Sequence, residues 1–120
     1  MVRLHVRQSG QGDVALVFVH GLGASGVTFD NCVAALSPRF RCVTVDLLGH
    51  GASPVPDDPA EYTRDGALAD LDDVIASVGG PVVLVGHSLG GYLSLAHAAT
   101  RPGVARAVVV LNTGPGFRVQ

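Results

Sequence analysis

Lysine and tryptophan are absent from these 120 residues, cysteine occurs only twice and methionine once, and charged residues make up only 15% of the chain. Each shortage narrows the function. All eight basic residues are arginines scattered along the chain, and the net charge is −2. That leaves no clustered basic face for nucleic acid or for an anionic membrane surface. Cys32 and Cys42 have neither a C-x-x-C spacing nor histidine neighbours, which excludes a zinc site or a disulfide framework and marks both as small buried hydrophobes. No stretch approaches 18 apolar residues, and the first ten residues alternate apolar and basic side chains. Neither a membrane span nor a secretory leader is expected, so the cytoplasm is the expected location.

What is present is a strongly apolar chain, 48% hydrophobic, with 16 glycines. The length allows one domain with one core, spanning residues 1–120. Val2, Leu4 and Val6 alternate with Arg3, His5 and Arg7, the period of a half-exposed strand at a sheet edge. Residues 14–19 form a continuous apolar run, and 41–47, 82–85 and 107–111 are further valine-rich stretches, as in strands buried on both faces. Helices are expected over 26–36, with Ser25 as a cap, over 63–78 and over 90–100. The second of these shows apolar Ala67, Leu68, Leu71, Val74, Ile75 and Val78 at intervals of three and four. Residues 52–62 hold three prolines and read as an exposed loop.

Buried strands alternating with helices specify an α/β fold: a three-layer, mostly parallel sheet with helices on both faces. Sites in such sheets form at the carboxyl ends of the strands. Glycine-rich turns follow Val19, Asp46 and Val85, at those ends.

The third turn, Gly86-His87-Ser88-Leu89-Gly90-Gly91, matches G-x-S-x-G. The pentapeptide alone arises by chance in roughly one such glycine-rich chain in eight. Its position between a buried strand and a helix is more telling. A nucleophile elbow needs that sharp turn to lift the serine hydroxyl clear of the sheet, with Gly86 and Gly90 where a β-carbon would crowd it. The bland alternative is an ordinary glycine-rich turn in which Ser88 caps the helix. The first turn, His20-Gly21-Leu22-Gly23, suits the second requirement of acyl transfer, two backbone donors aimed at an oxyanion, with the Leu22 and Leu89 N–H groups as candidates. It also belongs to Gly21-Leu22-Gly23-Ala24-Ser25-Gly26, a G-x-G-x-x-G with Asp46 twenty residues on. That is the spacing of a nucleotide-binding fingerprint, in which the acid binds a ribose hydroxyl.

The ordered set His20-Gly21-x-Gly23, Asp46-x-x-Gly49-His50-Gly51-x-Ser53 and Gly86-His87-Ser88-x-Gly90-Gly91 resembles the serine-nucleophile branch of the α/β-hydrolase superfamily: esterases, lipases, carbon–carbon bond hydrolases and perhydrolases. The resemblance covers essentially the whole chain. It implies Ser88 as nucleophile, Leu22 and Leu89 as oxyanion donors, His20, Gly21, Gly23 and His87 lining the site, and a 46–53 loop that frames the site without joining the chemistry. It implies a small ester or acyl substrate and neither cofactor nor metal. A serine at position 88 fits dehalogenases and epoxide hydrolases poorly, because the resemblance places an aspartate there in those branches.

The resemblance also implies a later acid and a later histidine. The turn after residue 111 reads Asn112-Thr113-Gly114-Pro115-Gly116, without a carboxylate, and the five histidines all lie before or beside the elbow. The expectation is therefore a truncated hydrolase core of one edge strand, four central strands and three helices, poorly active alone. His5 and His97 read as plain strand and helix residues. The strand at 107–111 is expected to be an apolar edge open to self-association. The competing readings are a nucleotide-binding module and a non-catalytic fragment.

Overall fold

A computed structural model describes residues 1–112. The turn read at 112–116 lies outside the described residues from Thr113 onward. Among the described residues, five strands form one sheet in the order β1-β3-β2-β4-β5. They are β1 (Val6–Ser9), β2 (Ala15–Val19), β3 (Arg41–Val45), β4 (Val82–His87) and β5 (Ala107–Leu111). β1 runs antiparallel to β3, and every other pairing is parallel. Three helices make the crossovers: α1 (Asp30–Leu36), α2 (Arg64–Val78) and α3 (Leu89–Thr100).

The alternation of side chains along buried strands divides the core in two. On one face Val17, Val19, Val43, Val45 and Leu84 meet Leu68, Leu71 and Val74 of α2 and Leu93 of α3. On the other, Leu16, Phe18, Cys42 and Val85 meet Phe29, whose ring centroid lies 5.0 Å from that of Phe18. Helices thus cover both faces. From β2 the chain passes to its neighbour β3, then crosses back over β2 to reach β4. The loops after β2 and β4 therefore diverge, and the crevice between them is where α/β sheets place their ligands.

Several local expectations need correction. The first strand begins at Val6, not Val2, because its partner β3 ends at Val45, opposite Val6, leaving little ladder for earlier residues. One further bond, from Asp46 N–H to His5 C=O (2.9 Å), continues the pairing. Leu4 is nonetheless buried, and Arg3 makes a two-pronged ion pair with Asp70 of α2 at 2.7 and 3.1 Å. The helix expected at 26–36 is a 3-10 turn (Gly26–Phe29) followed by α1, and the Ser25 side chain makes no cap bond. Thr63 does cap α2, accepting from Gly66 N–H at 2.9 Å. Cys42 is buried, but Cys32 is exposed on the outer side of the short α1.

His97 is no plain helix residue. It falls on the buried face of α3, fully enclosed, with Nε2 2.8 Å from Asp72 Oδ1, and Arg101 Nε donates to both oxygens of the same carboxylate at 2.9 Å. β5 forms the far edge of the sheet among the described residues, with Val109, Val110 and Leu111 each about two-fifths exposed.

Candidate active site

Ser88 stands between β4 and α3 with φ 56° and ψ −119°. A non-glycine residue at positive φ costs on the order of 1–2 kcal/mol, so the surrounding turn must impose it. Gly86 and Gly90 do so by close approach. A β-carbon on Gly86 would collide with the Gly90 carbonyl and with Gly91, and one on Gly90 would collide with the Val19 and His20 carbonyls at the end of β2. Ser88 N–H donates to Leu111 C=O (3.1 Å), while its side chain makes no capping bond to α3. The hydroxyl is held out of the helix and satisfies nothing there.

The loop after β2 packs against this turn. A β-carbon on Gly21 would lie 3.2 Å from Ser88 Cβ and 3.5 Å from His87 Nδ1. Ser88, Leu89, His87, Gly86, Gly90, Gly21, Leu22 and Gly23 are thus brought to one place, the crevice between β2 and β4. Neither the Leu22 N–H nor the Leu89 N–H has an acceptor among the described residues.

His20 lies at the same place but is not free to act as a base. Its ring is fully buried; Nε2 accepts from Leu47 N–H (2.9 Å), so Nδ1 carries the proton and donates to Gly21 C=O (2.7 Å). Burial, chiefly, pushes its pKa below the ordinary histidine value, with the neighbouring His50 acting in the same direction. His50 was missed as a site residue. Its Nε2 accepts from Gly23 N–H (3.0 Å), its Nδ1 lies 2.9 Å from Leu48 C=O, and its ring centroid is 5.0 Å from that of His20. Only the Gly49-His50-Gly51 context hinted at it.

Asp46 is also spent internally, which removes the acid from the nucleotide-binding reading. Oδ1 accepts from Gly26 N–H (2.7 Å) and Oδ2 from Ala52 N–H (3.0 Å), while Gly51 packs flat on the carboxylate. Burial raises its pKa, but the Ala52 and Gly26 N–H bonds, with His5 and His20 nearby, outweigh this and leave it below the ordinary value. Ser53 Oγ donates to the Asp46 carbonyl and accepts from His5 N–H (2.8 Å). The D-x-x-G-H-G-x-S segment is a structural knot that holds the 46–53 loop beside the crevice. Among the described residues, no cluster of three or more histidine, cysteine or acidic side chains could hold a metal ion.

The profile of the alpha/beta hydrolase family matches residues 16–119. The chain belongs to this family. A 2-(acetamidomethylene)succinate hydrolase of Mesorhizobium japonicum is 35% identical over 115 residues, which cover 95% of this chain and 40% of that protein. A marine microorganism esterase superposes with a TM-score of 0.89 at 27% identity, covering all of this chain and 45% of the esterase. The fold likeness extends to an epoxide hydrolase of Vigna radiata, with a TM-score of 0.84 and 31% identity over 89% of this chain and 34% of that one. The chain spans roughly a third to two-fifths of the curated relatives' length.

The remaining feature of the crevice is a cleft of about 270 Å³ beside the elbow. Leu22, Leu47, Leu48, Leu89, Tyr92 and Leu93 give it an apolar lining, and Tyr62 and Arg64 stand among the residues of its wall. Tyr92 of α3 forms part of the cleft wall, whereas Phe29 packs in the core on the other face of the sheet. Tyr62 packs against Gly49, where a β-carbon would overlap its ring. The proline-rich loop that ends at Tyr62 thus helps to build the cleft, although its sequence shows only that it is neither strand nor helix.

Proposed function

We propose that the chain carries the nucleophile and oxyanion-binding part of a serine hydrolase acting on a small ester or related acyl compound. The observation that carries this reading is Ser88, held at positive φ with its hydroxyl making no capping bond. In the proposed reaction Ser88 Oγ attacks the acyl carbon, the carbonyl oxygen becomes an oxyanion received by the Leu22 and Leu89 N–H groups, and the alcohol leaves with a proton. Water then cleaves the acyl-serine. The apolar cleft suits the hydrocarbon part of such a substrate, and its volume, slightly below the usual range for ligand pockets, favours a small one.

A serine hydroxyl needs a base to take its proton. His20 and His50 have both ring nitrogens engaged, and no described residue hydrogen-bonds Ser88 Oγ. The chain alone is therefore a slow catalyst, with oxyanion stabilisation and binding supplying on the order of a thousandfold over water, by analogy with serine proteases stripped of their triad. The test is intact-mass detection of fluorophosphonate labelling, with imidazole added as an external base. One adduct per chain, accelerated by imidazole and abolished in Ser88→Ala, is expected. No adduct, or an adduct that survives in Ser88→Ala, overturns the reading. Self-association through the exposed edge strand Ala107–Leu111 is part of the same proposal.

A further inference from the structure

We infer that His50 is a positioning residue for the oxyanion loop, completing with His20 a two-ring clamp that fixes the direction of the Leu22 N–H. The inference rests on the reading of Leu22 as an oxyanion donor and names what aims it. Leu22 is 70% exposed, so its own side chain does not anchor the loop. The peptide planes on either side of its Cα are held instead. The preceding plane contains the Gly21 C=O and the Leu22 N–H, which point in opposite directions because the peptide is trans and planar. His20 Nδ1 donates to that carbonyl at 2.7 Å, and Ala24 N–H donates to it at 3.1 Å, so fixing the carbonyl fixes the N–H. The following plane contains the Gly23 N–H, which His50 Nε2 accepts at 3.0 Å.

Both rings are anchored on the other loop: His20 Nε2 accepts from Leu47 N–H, and His50 Nδ1 donates to Leu48 C=O. Each accepts a backbone N–H at Nε2, so each must be neutral and carry its proton on Nδ1. A donor aimed where charge develops acts through its orientation, and small misplacements are costly. His50 thus serves the reaction through Gly23 and Leu22 without touching the substrate.

The test uses the isotopically labelled 120-residue chain. In the wild type, an N–N coupling through the hydrogen bond should join Gly23 N to His50 Nε2. His50→Phe keeps a ring and removes the acceptor; His50→Gln restores an acceptor at similar reach. His50→Phe should change the residual dipolar coupling of the Leu22 N–H while those of β2 and β4 stay fixed, and should slow imidazole-assisted labelling of Ser88 about tenfold. His50→Gln should recover most of both. If His50→Phe does not fold, His50→Ala takes its place. Absence of the N–N coupling, an unchanged Leu22 dipolar coupling in the acceptor-free variant, or an unchanged labelling rate overturns the inference. If wild-type Ser88 takes no label but the clamp couplings are present, the hydrolase reading fails and the dipolar couplings alone decide whether His50 orients Leu22.

Discussion

Gly21 and Ser88 touch across the carboxyl ends of β2 and β4, so closely that a β-carbon on Gly21 would stand 3.2 Å from that of Ser88. The contact joins the oxyanion loop to the elbow. Gly21→Ala should push the two apart by a few tenths of an ångström, destabilising the fold by about 1 kcal/mol while slowing fluorophosphonate labelling of Ser88 about tenfold. Denaturant melts and labelling rates measured on the same preparation separate the two effects.

Gly86 and Gly90 are required by packing, since neither has a positive φ and the atoms they face are backbone. Gly86→Ala and Gly90→Ala should each cost about 3 kcal/mol or more, enough to leave much of the chain unfolded. Gly103→Ala is the comparison. It has φ 83° but open space around it, so only the backbone penalty of about 1 kcal/mol applies. Urea midpoints rank the three, and equal losses at positions 86 and 103 would contradict the packing argument.

The strain at Ser88 is removable. Ser88→Gly relieves the positive φ and should raise stability by about 1 kcal/mol, whereas Ser88→Ala keeps the β-carbon and should leave stability nearly unchanged. Both variants lose the nucleophile. Thermal melts showing no gain in Ser88→Gly would mean that the turn conformation is not strained.

Acid should weaken the fold in two separate windows. The folded-state pKa of His20 lies below its unfolded value of about 6.5, so the unfolded chain binds the proton more readily. The stability associated with His20 is complete above about pH 6.5 and is lost as pH falls from there toward the folded value. Asp46 is also held below its unfolded value of about 3.9; its contribution is complete above that pH and is lost as pH falls through the folded value. His20→Gln should flatten the first loss and Asp46→Asn the second, read from unfolding free energies measured against pH.

The edge of β5 should make the chain self-associate. Among the described residues the outer edge of β5 has no strand partner, and with exposed Val109, Val110 and Leu111 it forms a template for strand addition. Val109→Lys with Val110→Lys should shift the chain toward monomer in light scattering at high concentration. A wild-type chain that is already monomeric there would count against this.

The sequence by itself determined the four valine-rich strands, the helices α2 and α3 and the order of the glycine-rich turns, but not where β1 starts or that a 3-10 turn opens the first helix. Continuous valine-rich runs and periodic apolar residues are local signals of burial, and the glycines at 86 and 90 mark the elbow because they fall between such a run and a helix. It left open what each polar residue in those turns does. Asp46 matched a ribose-binding acid by spacing, and His50 attracted no role. Only tertiary structure decided both, because their partners are about twenty or more residues away: Gly26 for Asp46 and Gly23 for His50. The parallel register that sets Val19 beside Val45 brings the two loops together. A hydrogen bond between loops depends on that register and on which way each turn leaves the sheet, and no local pattern of residues encodes either.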